Sequence, residues 1–251
     1  MAGGLRLSAP APLAAPGARA RKRAPGAAWL ALCAMLGGGS LLAWWAPASL
    51  LDWQPGRAAT EPWRVVTAAW VHWSGWHLAA NLAGTAVVAA LGVAARLPAR
   101  AAAALALAWP LTQAGLWSEP ALAHYGGASG VLHAAVAVAA CWLIAGARGG
   151  CDPGAVAQRG APLQSPAAPV RRSMQLIGAG ISGGLALKVL LEEPWAGPLA
   201  ARAWDIAVAP VAHASGALAG TATTLVALAL RPRARDLRQQ SARKHTPTEK
   251  D

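Results

Sequence analysis

Ser129 stands in Gly126-Gly127-Ala128-Ser129-Gly130, and His213 opens the run His213-Ala-Ser-Gly216-Ala-Leu-Ala-Gly220. A serine hydroxyl is a weak nucleophile until a base accepts its proton, and imidazole titrates close enough to neutrality to do so. The pair points to acyl transfer, with Ser129 as nucleophile and His213 as general base. A tetrahedral intermediate also needs donors aimed at its oxyanion. His77 and Asn81, four apart and so on one helix face, are candidates together with the Ser129 backbone N–H. Gly127 and Gly130 allow close backbone approach around the nucleophile. Gly216 and Gly220 allow the helix bearing His213 to lie against the helix bearing Ser129, as small residues do in membranes. His133, one turn beyond Ser129, has three candidate roles: supporting His213, binding substrate, or competing as base. Each piece has a plainer reading. Gly-x-Ser-Gly in an apolar helix is more often a packing face, a lone histidine more often bonds a carbonyl, and an asparagine can be interhelical glue. Their convergence, argued next from depth, favours chemistry.

The elements that must position these residues are membrane helices. Hydrophobic residues make up 55% of the 251 and charged residues only 13%, about half the charge of an ordinary soluble chain. Six stretches are long enough to cross a hydrocarbon core: about 27–51, 71–95, 101–118, 126–147, 174–191 and 208–230. The third is short and contains Pro110. With a cytoplasmic N-terminus, all Lys and Arg fall in inside segments except Arg57, Arg64, Arg202 and Lys188, and Lys188 can snorkel outward. Both termini are therefore expected to be cytoplasmic. The net charge of +12 is a topology signal and a surface for anionic headgroups, so the partner is the lipid bilayer and not nucleic acid. Residues 1–26 and 231–251 read as basic disordered tails around one membrane domain, 27–230. The Pro-containing stretch 148–173 reads as a flexible inside loop. The run after residue 26 is too long for a signal-peptide core, and Cys33, Cys141 and Cys151 imply no disulfide framework. In this topology His77, Ser129 and His213 all sit near the outer ends of helices that run inward. Three separate helices thus bring polar groups to one shallow layer, where water for hydrolysis is within reach.

The pattern resembles the rhomboid family of intramembrane serine proteases from about residue 60 to 222. Trp63-Arg64, Thr67, His72, His77 and Asn81 are similar to the family's first-loop element and second-helix His-x-x-x-Asn motif. Gly127-Ala128-Ser129-Gly130 resembles the nucleophile motif, and His213-x-x-Gly216-x-x-x-Gly220 the general-base motif. The resemblance implies an all-α membrane protein, a six-transmembrane-helix bundle. It implies a Ser–His dyad with no acidic third member and no cofactor or metal, cutting a transmembrane protein substrate near its outer end. His133 stands where typical rhomboids have a tyrosine that stacks on the general base. With the rest of the two motifs, it is similar to the rhombosortase branch. That branch implies substrates ending in a Gly-Gly motif, a hydrophobic helix and a basic end, and a bacterial inner membrane with the site open to the periplasm.

Rival chemistries find less in the sequence. No His-Glu-x-x-His run exists for a zinc protease, and the carboxylates, including Glu192 and Glu193, fall in loops or at helix ends, away from an aspartyl site. A Ser–Lys pair of Ser182 and Lys188 lacks oxyanion donors. A b-type haem carrier would use facing pairs among His72, His77, His133 and His213. An inactive rhomboid-like binder of transmembrane helices would not need Ser129, His213, His77 and Asn81 together.

Overall fold

The computed structural model describes residues 26–119, 122–146, 168–197 and 208–230. Both tails and most of the 148–173 stretch lie outside the described residues. Among the described residues are six helices of 16 residues or more: α1 (Ala27–Ala43), α2 (Gly75–Ala94), α3 (Ala99–Ala114), α4 (Ser129–Ile144), α5 (Ala168–Leu191) and α6 (Pro210–Ala229). Three of them, in α2, α5 and α6, are long and apolar enough to cross a membrane. α1 and α4 are apolar but shorter.

Several bounds differ from those read in the sequence. α1 ends at Ala43 rather than near 51, because Pro47 has no N–H for a continuing helix and restricts the residue before it. The chain then enters a folded outer loop with short helices at Pro55–Ala58 and Arg64–Thr67. α3 runs through Pro110 and tightens into a 3₁₀ turn, Gly115–Ser118. α5 begins at Ala168, so residues 168–173 are helical and not linker. Pro169 sits in its first turn, where a missing N–H costs nothing.

The packing is that of helices in lipid. α4 is the central helix, with small residues Ala134, Ala135, Ala137, Ala139 and Ala140 buried along it. α6 lies against both α4 and α3, α5 packs mainly on α4, and α1 packs on α2. Large aliphatic side chains point outward instead, among them Leu42, Val87, Leu107, Leu187, Leu191, Leu218 and Leu225. The apolar window of α5 is only 6% buried within the protein. Such a surface would be costly in water and suits a hydrocarbon solvent. Buried tryptophans tie the bundle together: Trp29 Nε1 donates to the Val88 carbonyl (2.8 Å) and Trp109 Nε1 to that of Val66 (3.0 Å). Cys33 and Cys141 are free thiols.

The close approach expected of Gly216 and Gly220 is present. A Cβ on Gly216 would run into the Gly130 carbonyl, one on Gly220 into that of Ala134, and one on Gly130 would lie 2.8 Å from the Ala212 oxygen. Gly216→Val should therefore force α4 and α6 apart, at about 1–3 kcal/mol of overpacking. A shift of roughly 1 Å between the two helices should slow the chemistry by about 10²-fold. Thermal unfolding in detergent and the labelling rate of Ser129 would both register it, and an unchanged rate would show that the helix contact does not set the site.

Candidate active site

α2, α4 and α6 each begin close to a functional side chain: His77 is the third residue of α2, Ser129 the first of α4 and His213 the fourth of α6. Ser74 caps α2 by accepting the His77 N–H (3.1 Å). The buried residues of α2, His77, Asn81, Thr85, Val88 and Gly92, recur every three or four positions and turn the polar pair inward. Pro210 opens α6 at a first-turn position.

The nucleophile segment is fastened to the outer loop. Trp53 and Tyr125 exchange backbone hydrogen bonds (2.8 and 3.0 Å), and the Gly127 N–H donates to the Ala68 carbonyl (2.9 Å). The Tyr125 hydroxyl donates to the Gly127 carbonyl (3.2 Å). Gly127 has φ +138°, and a side chain there would meet the His77 ring at 2.8 Å. Glycine is thus required twice over, by backbone conformation and by the approach of His77. The outer loop is itself held by Arg64, whose side chain is wholly buried. Arg64 donates to the Asp52 carbonyl (2.6 Å) and carboxylate (3.1 Å), the Ser49 carbonyl (2.9 Å) and Glu61 (2.8 Å). Asp52 in turn holds His124 at 2.6 Å. Arg64, counted in the sequence as an outside topology charge, is instead a structural tie, whereas Trp63 beside it is half exposed.

Ser129 and His213 meet as expected: the Ser129 hydroxyl donates to His213 Nε2 at 3.0 Å. An acidic side chain, which the resemblance does not lead one to expect, also reaches this pair. His213 Nδ1 donates to Glu192 Oε2 at 2.7 Å. Glu192 follows directly on α5, which ends where Glu193 adopts a left-handed φ of 47°. Its position at a helix end concealed it in the sequence, since nothing local shows that this end folds onto α6. Burial tends to raise the Glu192 carboxyl, but hydrogen bonds from His213 and Lys188, with their charges, outweigh it and hold it at about 2.

His133 stacks on His213, ring centroids 4.1 Å apart and planes 10° from parallel. Its Nδ1 donates to the Ser129 carbonyl (2.7 Å). Of the two rings it is His213 that reaches the Ser129 hydroxyl. Asn81 Nδ2 donates to the His77 carbonyl (3.0 Å), a bond that occupies one of its two hydrogens. His72 lies beside His77, ring centroids 4.7 Å apart, and donates from Nδ1 to the Trp70 carbonyl (3.0 Å). Burial pushes His72 down, partly offset by that carbonyl.

These groups line a cavity of about 820 Å³ whose other walls include Trp73, Leu122, Leu132, Val208 and Ala209. Lys188 also faces it, paired with Glu192 and not with Ser182. His133, Glu192 and His213 offer ligand atoms within 4.8 Å of one another, a donor set that zinc accepts. In this arrangement, however, both ring nitrogens of His213 are engaged by Glu192 and Ser129, and His133 Nδ1 by the Ser129 carbonyl. Ring contact also leaves no room for a macrocycle between His133 and His213 or between His72 and His77. Compared with known proteins, the chain matches no family model and no curated sequence.

Proposed function

We propose that this protein is an intramembrane serine endopeptidase. The observation that carries the proposal is the 3.0 Å contact between Ser129 Oγ and His213 Nε2 on the wall of an open cavity, between helices locked by Gly216 and Gly220. In the first step Ser129 Oγ bonds to the scissile carbonyl carbon while its proton passes to Nε2. The oxyanion so formed is met by the Ser129 N–H, the Asn81 amide and His77. Collapse breaks the C–N bond, and the proton on Nε2 goes to the leaving amine. Water then attacks the acyl carbon and gives a proton to Nε2; the C–O bond to Ser129 breaks, the carboxylic acid leaves, and the proton on Nε2 returns to Oγ.

The finer features follow from the resemblance to rhomboids and its rhombosortase branch. They are six membrane spans, both termini in the cytoplasm, and a site opening on the periplasmic side of a bacterial inner membrane. The substrate is a membrane-anchored protein with a C-terminal Gly-Gly motif, apolar helix and basic end. His133, stacked where a tyrosine is expected, supports His213. A co-expressed reporter carrying such a tail tests the substrate class. Mass analysis should find a cut ahead of the helix with the wild type and none with Ser129→Ala. Equal fates with both would favour the alternative of an inactive helix binder.

His77→Ala and Asn81→Ala each remove one of several oxyanion donors. Each should lower kcat by about 10²-fold with KM nearly unchanged. A rise in KM at constant kcat would assign them to substrate binding instead.

A further inference from the structure

We propose that Glu192 completes a Ser129–His213–Glu192 triad, as a positioning residue that acts through His213. This rests on Ser129 and His213 doing the chemistry described above. A carboxylate accepts hydrogen bonds and donates none, so the contact with Glu192 Oε2 puts the imidazole proton on Nδ1. In the neutral ring that leaves the lone pair on Nε2, the atom facing the Ser129 hydroxyl. Glu192 thereby selects the tautomer that can act as base, fixes the ring plane, and stabilises the imidazolium formed when Nε2 takes the serine proton. The Nδ1 proton stays on the ring and Glu192 remains a carboxylate throughout.

The two oxygens of Glu192 are divided. Oε1 accepts from Lys188 Nζ, four residues earlier on α5, and Oε2 accepts from His213. A surface ion pair alone would account for the first contact and not the second, which joins α5 to α6 across the cavity. The Lys188 contact keeps the carboxylate ionised and reduces its pull on the ring. Asp52 and Glu61, by contrast, are held by Arg64 in the outer loop. The groups that face His213 are Glu192 and Lys188 from α5, Ser129 and His133 from α4, and, across the cavity, His77, His124 and Tyr125. Glu119 ends the turn after α3 that packs on α6, while Arg100, the charged residue of α3 itself, lies at the opposite end of that helix.

The test is the second-order rate of Ser129 labelling by a fluorophosphonate, measured on the full chain in detergent across the range where histidine titrates. Glu192→Gln keeps the shape but not the charge. Its plateau should fall by about 10²–10⁴-fold. Its acid limb should also move to lower pH by about one unit or more, because the protonated ring loses its counter-charge. Glu192→Asp should recover part of the rate and bring the limb back. Lys188→Met, at a half-exposed position, should move the limb the other way, to higher pH. Glu192→Gln with the wild-type plateau and limb would overturn the triad. So would a lower plateau with an unmoved limb, which is what a structural role alone gives. If Glu192→Gln does not accumulate, an unmoved limb in Lys188→Met overturns it equally. Ser129→Ala separates the two levels: if it still labels, the peptidase reading fails. If it does not label while Glu192→Gln behaves as wild type, only the role of Glu192 fails.

Discussion

Ser129→Ala and His213→Ala should each lower peptide-bond cleavage by about four to six orders of magnitude while leaving the helices assembled. When nucleophile and base act as a unit, losing either one costs nearly as much as losing both. The geometry explains why no neighbour can substitute. In Ser129→Ala the attacking oxygen is gone. In His213→Ala the nearest remaining imidazole is His133, whose Nδ1 is committed to the Ser129 carbonyl and whose ring is stacked above the vacated one. The double variant should be no slower than either single one, within a few-fold. Two losses that multiplied would mean that the residues contribute independently, and the Ser129–His213 contact would then not be the catalytic unit. Circular dichroism and gel filtration in detergent should match the wild type, since the close packing of α4 on α6 is set by Gly130, Gly216 and Gly220 and not by these two side chains.

Arg64→Ala should destabilise the fold by about 3–5 kcal/mol, because it takes the guanidinium from the buried Asp52 carboxylate and leaves it only His124 and Gln54. The loss reaches the active site through a short chain of contacts. Arg64 holds Ser49, Asp52 and Glu61; Asp52 holds His124; and Trp53 pairs with Tyr125, four residues before Ser129. Arg64→Lys should lose most of the same energy, since an ammonium cannot reproduce the forked donation to two carboxylates and two carbonyls. Adding Asp52→Asn to Arg64→Ala should restore part of the stability by removing the stranded charge. Thermal unfolding in detergent measures all three. A midpoint for Arg64→Ala equal to that of the wild type would mean that the outer loop is held by other contacts.

Much of the candidate site was legible because its chemistry sits at short, regular spacings on helices. His77 and Asn81 share a face through the helical repeat alone, and the glycines at 216 and 220 announced the close contact that brings His213 to Ser129. Apolar stretches likewise marked where the six helices fall to within a few residues, except where Pro47 ends α1 early and Pro169 begins α5 rather than marking a loop. Glu192 was not legible. Its role depends on the end of α5 folding beside the start of α6, a contact 21 residues distant along the chain that no local pattern encodes. The bonds of Arg64 were not legible for a related reason. A loop arginine reads as a solvated charge until the carboxylates and carbonyls that surround it are brought together by the tertiary structure. His133 lies between these cases: its position one turn after Ser129 was plain, but the stacking of its ring on His213 needed the fold.

The central claim is that His213 activates Ser129, and peptide mapping of a fluorophosphonate adduct on the membrane-reconstituted protein tests it most directly. The account predicts a stoichiometric adduct on Ser129 in the wild type, lost in Ser129→Ala and reduced by at least about 10³-fold in rate in His213→Ala. An adduct on another serine such as Ser182, or one on Ser129 that forms at the same rate without His213, would contradict it.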